Sequence, residues 1–173
     1  NEVHPVKGWP TYLLGMIYHL LPNRQLPQGL DVMVSGNVPV GAGMSSSAAL
    51  CSAFGVALNN IFHLDLSRME IALAAQKTEH LFANLKCGIM DMFASLHGRA
   101  GHVMKLDCRS LEYEYIPFDF PDDCIVLVNT MVSHSLASSA YHAKRSKCEA
   151  GVSILKRFYP DIHSLRDVKI ETL

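Results

Sequence analysis

The run Pro39-Val40-Gly41-Ala42-Gly43-Met44-Ser45-Ser46-Ser47-Ala48-Ala49 carries more chemistry than its surroundings. Gly41 and Gly43 permit backbone conformations closed to other residues and let a ligand approach the main chain. Ser45, Ser46 and Ser47 fall where an Ala- and Leu-rich stretch begins, in the first turn of a predicted helix. Backbone N–H groups there are unpaired and the helix dipole is positive, so Gly41 to Ser47 form a cradle suited to an anion. The serine hydroxyls add donors and can ligate magnesium. The run is not a P-loop, because no Lys follows Gly41 or Gly43. It is not the dinucleotide fingerprint either, because Ser46 stands where the third Gly belongs. A Gly-rich hairpin, or a serine-capped helix with no ligand, is the alternative.

Two carboxylates stand in apolar surroundings. Glu79 shares a helical stripe with Ala72, Ala75, Phe82 and Ala83. A carboxylate there is expensive unless it is paired or binds a metal, or unless it reaches solvent at the rim. Asp91 lies in Gly88-Ile89-Met90-Asp91-Met92-Phe93-Ala94, with apolar residues on both sides. It reads either as a site residue or as an exposed residue on an amphipathic turn. Tyr141 shares a stripe with Arg145, Cys148, Val152 and Leu155. On that stripe it reads as a packing residue with its OH at the rim.

The elements that must position these groups follow from periodicity and breakers. Val6, Trp9, Leu13, Ile17 and Leu20 predict a first helix, ended by Pro22 and Pro27. Alternation over Leu30 to Ser35 predicts a strand leading into the glycine-serine turn. Helices are predicted over 44–62 and 66–84, the second with Ser67 as a cap, and a short one over 89–96. Strands are expected at 101–106, 113–118 and 125–129, and a last helix over 138–158. Helices and strands mix without strict alternation, so the fold class is α+β. The stretch Phe120-Pro121-Asp122-Asp123 marks the expected boundary between a domain over 1–119 and a second beginning at 120–173.

Composition narrows the function classes. The chain has 173 residues, 49% apolar and 18% charged, which excludes a disordered segment. The net charge of −1 and the absence of a dense Lys/Arg run argue against a nucleic-acid binder. The five cysteines are widely spaced and none forms a CxxC pair. They are expected to be reduced and mostly buried, in a cytoplasmic protein. No leader and no apolar run of spanning length occurs in these residues, so no membrane partner is expected.

The glycine-serine run resembles the ATP-binding motif of the GHMP kinases, P-x-G-x-G-[LM]-S-S-S-[AG], at every specified position. Cys87-Gly88-Ile89-Met90-Asp91, the stretch from Gly101-His102 to Asp107-Cys108-Arg109-Ser110, and Asn129 to Tyr141 are similar to segments of the galactokinase branch. The resemblance covers about Val6 to Leu165. It implies that Gly41, Ala42, Gly43, Met44, Ser45, Ser46 and Ser47 wrap the ATP phosphates. It implies Ser47 and Glu79 as magnesium ligands and Asp91 as the catalytic aspartate facing the sugar hydroxyl. Gly88, Asp91 and Tyr141 become sugar contacts, and His134 is read as structural. Trp9 lies where members place an adenine-stacking aromatic, though core packing fits it equally. The family usually has Gln after the aspartate, whereas this chain has Met92.

The implied fold is a partial GHMP kinase N-terminal domain, of the ribosomal protein S5 domain 2-like type, followed by the start of a ferredoxin-like domain. The implied activity is phosphorylation of the galactose 1-hydroxyl with ATP and Mg2+, by an intact enzyme that is a monomer. The family's N-terminal sugar motif and C-terminal glycine-rich loop do not occur in these residues. The chain also opens without Met. It is therefore expected to be an internal segment, inactive alone and prone to self-association. A kinase for N-acetylgalactosamine or arabinose, a non-catalytic sugar and ATP sensor, and a GHMP kinase of isoprenoid or amino-acid metabolism are the other readings. Intact serines and Asp91 favour an enzyme, and the Cys87–Asp91 segment with Tyr141 favours a sugar kinase.

Overall fold

Pro10 carries the backbone angle that a helix's first residue needs and lacks a donor that would be orphaned there. Helix α1 accordingly spans Pro10–Leu20. Three more helices follow: α2 (Ser46–Ile61), α3 (Arg68–Leu81) and α4 (Met90–His97). The computed structural model describes residues 3–21, 29–128 and 139–169. The chain divides into two compact units, Asn1–His134 and Ser135–Leu173. The expected break at Pro22 and Pro27, and the stretch from Asn129 to Ser138 with His134, lie outside the described residues.

The first unit is held by α1, α2, α3 and α4 packed on one another. Met16, Cys51, Leu58, Ala72, Ala75, Met92 and Phe93 are all essentially inaccessible to water at their shared centre. Two glycines let the helices approach. A Cβ on Gly15 of α1 would lie 2.3 Å from Thr78 Cγ2 on α3. A Cβ on Gly55 of α2 would lie 2.6 Å from both Ile71 Cγ2 and Met16 Cε. Thr11 Oγ1 donates to Phe82 O at 3.3 Å and Thr78 Oγ1 to Met16 Sδ at 3.5 Å, which fixes α1 against α3. At the start of α3, Ser67 and Glu70 form a reciprocal capping box.

Strands β1 (His102–Leu106) and β2 (Tyr113–Pro117) pair antiparallel, with Met104 opposite Tyr115. The Asp107 carboxylate accepts from Arg109 N at 2.8 Å inside the connecting turn. The hairpin lies on α4. Tyr113 meets the Phe93 ring edge-on at 5.0 Å, and Tyr115 donates to the His97 carbonyl. Helices with one small sheet make the architecture α+β, as the mixture of periodicities indicates.

Two expected strands are corrected. Residues 30–35 and the described part of 125–129 join no ladder. Alternation supplies strand-like side chains, but a strand exists only where a neighbour takes its N–H and C=O groups. Met33 is 95% exposed, and Ile125 to Val128 are each at least 68% exposed.

In the second unit, α5 (Ser139–Leu155) packs on a short 3-10 helix, Leu165–Asp167. Arg145 Nε and Glu149 Oε1 pair at 3.0 Å along its exposed face. Ile162 is the unit's buried apolar residue among those described.

Candidate active site

The glycine-serine turn is built on alternating left-handed residues. Gly41, Gly43 and Ser45 have φ of 75°, 75° and 56°. Glycine takes this conformation freely, whereas for Ser45 it costs about 1–2 kcal/mol. Left-handed residues inside a turn direct successive N–H groups toward one concavity, a shape that binds anions. Ser45 is the residue preceding α2, yet its side chain makes no capping hydrogen bond. The first-turn N–H groups of α2 thus face the loop without that internal acceptor. Gly43 and Met44 are exposed and the remaining loop residues half-buried.

Ser47, one residue inside α2, is a polar neighbour of Glu79 on α3. Glu79 is 2% exposed, so the rim-glutamate alternative falls. Its Oε1 is buried without a hydrogen-bond partner. Burial pushes the carboxyl above the ordinary carboxylate range. The polar neighbours Ser47 and Cys87 oppose that rise, and the Asp91 charge adds to it. Asp91 therefore lies in electrostatic reach of Glu79, in the first turn of α4 and half-buried. A negative charge is favoured at that helix end.

The helix–loop–helix joining Glu79 to Asp91 is folded tightly. Leu85 N donates to Glu79 O at 2.9 Å and Cys87 N to Leu85 O at 2.8 Å. Asn84 makes the turn with φ of 52°, a conformation its short polar side chain tolerates. Gly88 follows, exposed, with nothing within 4 Å of where a Cβ would stand. Position 92 is a core position in this chain: Met92 is 1% exposed, so the apolar side chain fits where the family's usual Gln would bring an amide.

Sequence reasoning missed Tyr12. Carried on α1, its phenol is a neighbour of Ser47, and burial followed by the Glu79 charge raises it. The available signal was weak, because the same helix holds a second phenol, Tyr18, together with Thr11 and His19. Cys51 and Cys87 border the same cluster, and burial raises both thiols. The cysteine expectation needs correction in part. The five thiols are free, but Cys108, Cys124 and Cys148 are exposed because they sit on a turn, an unpaired segment and a helix face. Trp9 is 54% exposed, which removes core packing as its role. Tyr141 stands in the first turn of α5, in the second unit, half-buried.

Among the described residues no three His, Cys, Asp or Glu side chains converge as a metal site. A cation at Ser47 and Glu79 would meet few protein oxygens, as magnesium commonly does beside phosphates. The orphaned Oε1 gives that pair an unused ligand atom. Among the described residues no helix is long and apolar enough to cross a membrane.

A left-handed glycine-serine turn leading into a helix, with buried Glu79 and Asp91 in electrostatic reach of each other, has a shape suited to an anion, and the chain belongs to the GHMP kinases. Residues 11–99 match the GHMP kinases N terminal domain. The chain is 36% identical over 167 residues to a galactokinase of Roseiflexus, covering 96% of this chain and 42% of that protein. It is 40% identical over 168 residues to a galactokinase of Chloroflexus aurantiacus, covering 96% and 43%. A galactokinase of Exiguobacterium sibiricum is 38% identical over 154 residues, covering 88% and 40%. The fold matches the crystal structure of Lactococcus lactis galactokinase complexed with galactose. The TM-score is 0.84 at 31% identity, over 98% of this chain and 44% of that one. The chain thus spans less than half the length of the curated relatives it matches.

Proposed function

We propose that this chain is the nucleotide- and metal-binding part of a galactokinase, which transfers the γ-phosphoryl group of ATP to the 1-hydroxyl of galactose. The observation that carries the reading is the buried Glu79, 2% exposed with an unpartnered Oε1, which has Ser47 of the left-handed glycine-serine turn and Asp91 as neighbours. The similarity to galactokinases over nearly the whole chain supports the choice of sugar.

Gly41 to Ser47 hold the ATP phosphates through the loop N–H groups, the α2 N-terminus and the serine hydroxyls. Ser47 and Glu79 hold the magnesium ion, and the orphaned Glu79 oxygen supports that assignment. When bound, magnesium neutralises and orients phosphate charge. Asp91 orients the sugar hydroxyl and accepts its proton as the oxygen attacks phosphorus. Phosphoryl transfer depends chiefly on positioning and charge stabilisation, with base catalysis contributing about 10²–10⁴ in rate. Gly88 leaves the backbone open to the sugar, Tyr141 supplies a further sugar contact, and exposed Trp9 is free to stack on adenine. Free thiols fit a cytoplasmic location, and the intact enzyme is read as a monomer. We place the domain boundary of the parent enzyme near residue 120.

The test is ATP- and magnesium-dependent phosphorylation by a complete polypeptide carrying this sequence. The panel is galactose, 2-deoxygalactose, N-acetylgalactosamine, arabinose and mevalonate. Turnover of galactose above the others is expected. No turnover of any sugar, with galactose and ATP still bound, would instead make the protein a sensor.

A further inference from the structure

The carbonyl of Cys87 receives two donors from one helix face. His80 Nε2 lies 2.8 Å from Cys87 O, and Gln76 Nε2 donates to the same oxygen at 3.4 Å. Gln76 and His80 are four residues apart on α3, hence neighbours on its surface. A carbonyl only accepts, so His80 Nε2 carries a proton in this contact whether the ring is neutral or charged. The Cys87 side chain meanwhile neighbours Glu79. Cys87 is thus held at its main chain by one face of α3 and lies beside the glutamate on the same helix. Gly88 follows directly, and Asp91 one helical turn later.

We propose that His80, assisted by Gln76, is a positioning residue for Asp91. It ties the segment that carries Gly88 and Asp91 to α3, the helix that carries Glu79, and so sets the separation of the two carboxylates. Without the clamp, the loop from Asn84 to Gly88 loses both side-chain bonds from α3 to the Cys87 carbonyl, while the Leu85 N–H bond to Glu79 O and the burial of Leu85 remain. A loop so loosened lets Asp91 drift relative to Glu79. A displacement near 1 Å at a reacting group costs on the order of 10²-fold in rate. The inference rests on the reading of Asp91 as the residue that meets the sugar hydroxyl.

The experiment uses a complete galactokinase polypeptide carrying this sequence, with His80→Leu, His80→Gln, Asp91→Asn and the double variant His80→Leu/Asp91→Asn. His80→Leu is expected to lower kcat by about 10- to 100-fold while the KM for ATP stays near wild type. His80→Gln, which keeps a side-chain donor, is expected to recover most of that loss. The double variant is expected to turn over no more slowly than Asp91→Asn alone, because the clamp acts through Asp91. Wild-type kcat in His80→Leu, with Asp91→Asn inactive, overturns the proposal and leaves the site reading intact. Additive losses in the double variant overturn it as well. Full activity of Asp91→Asn overturns both the site reading and the proposal. Should His80→Leu fail to fold, Gln76→Leu removes the longer bond. A smaller fall in kcat supports the clamp and an unchanged kcat overturns it.

Discussion

Ser47 and Glu79 stand on different helices, yet they are polar neighbours at a point where the glutamate is almost wholly removed from water. Nothing local to either residue brings this about. The close approach of α1 to α3 at Gly15 and the packing of α2 on both place the two oxygens together.

Burial of Glu79 has a cost that depends on pH. The folded protein without metal holds the Glu79 proton more tightly than the unfolded chain does, since the carboxyl is raised above its ordinary value of 4.5. A raised acid contributes stability that is fully present below the unfolded value and is lost as pH rises through the folded one. Glu79→Gln keeps the volume and removes the charge. It is expected to melt higher than wild type at neutral pH in the absence of metal, and equally at acidic pH below that window. A lower melting temperature for the variant at neutral pH would contradict the assignment.

Asp91→Asn keeps size and removes the acceptor for the hydroxyl proton. A fall in kcat of about 10²–10⁴ is expected, with galactose and ATP affinity largely kept. Steady-state kinetics with calorimetric titration of both ligands separates the two effects. A rise in KM with unchanged kcat would make Asp91 a binding residue only.

Tyr12→Phe removes the phenol oxygen that neighbours Ser47 and leaves the ring in place. The variant is expected to weaken Mn2+ binding in the presence of ADP by about 3- to 10-fold, the range of a single net hydrogen bond. Electron paramagnetic resonance of free manganese reads this directly. No change would show that Ser47 is oriented by Glu79 alone.

Gly15→Ala inserts a methyl group 2.3 Å from Thr78 Cγ2, against packed side chains on both helices. Overpacking of this kind costs about 1–3 kcal/mol, against which alanine's better helix propensity returns about 1 kcal/mol. A lower denaturation midpoint is expected, together with weaker metal binding, because Thr78 adjoins Glu79. A midpoint at or above wild type would mean that α1 shifts without penalty.

The segments 32–34 and 125–128 expose valine, leucine, isoleucine and methionine with no ladder partner among the described residues. Such segments template pairing between chains. The 173-residue chain by itself is expected to associate, and Val126→Lys with Val128→Lys to reduce that association. A monomeric sedimentation profile of the unmodified chain across concentrations would refute this.

The helices were legible because each is written in local terms. Pro10 starts one, Ser67 and Glu70 cap another, and apolar residues recur at helical spacing in all of them. The two unpaired segments were misread for the same reason, since alternation is local while a ladder requires a neighbour. Trp9 and the exposed cysteines show a related limit: residue type sets a tendency toward burial, and position in the packed unit overrules it.

The sequence by itself determined the chemistry available to this protein. The glycine-serine run, the carboxylates at Glu79 and Asp91, and the motifs shared with GHMP kinases are all properties of residue order. Tertiary structure alone decided which of these groups meet. It buried Glu79, brought Tyr12 and Ser47 to its side, left one of its oxygens without a partner, and folded Cys87 back onto His80 and Gln76. The physical reason is that such contacts join residues on separate helices or, for Cys87, a loop folded back onto a helix. Their distance is set by how closely those helices can pack, and no spacing along the chain encodes it.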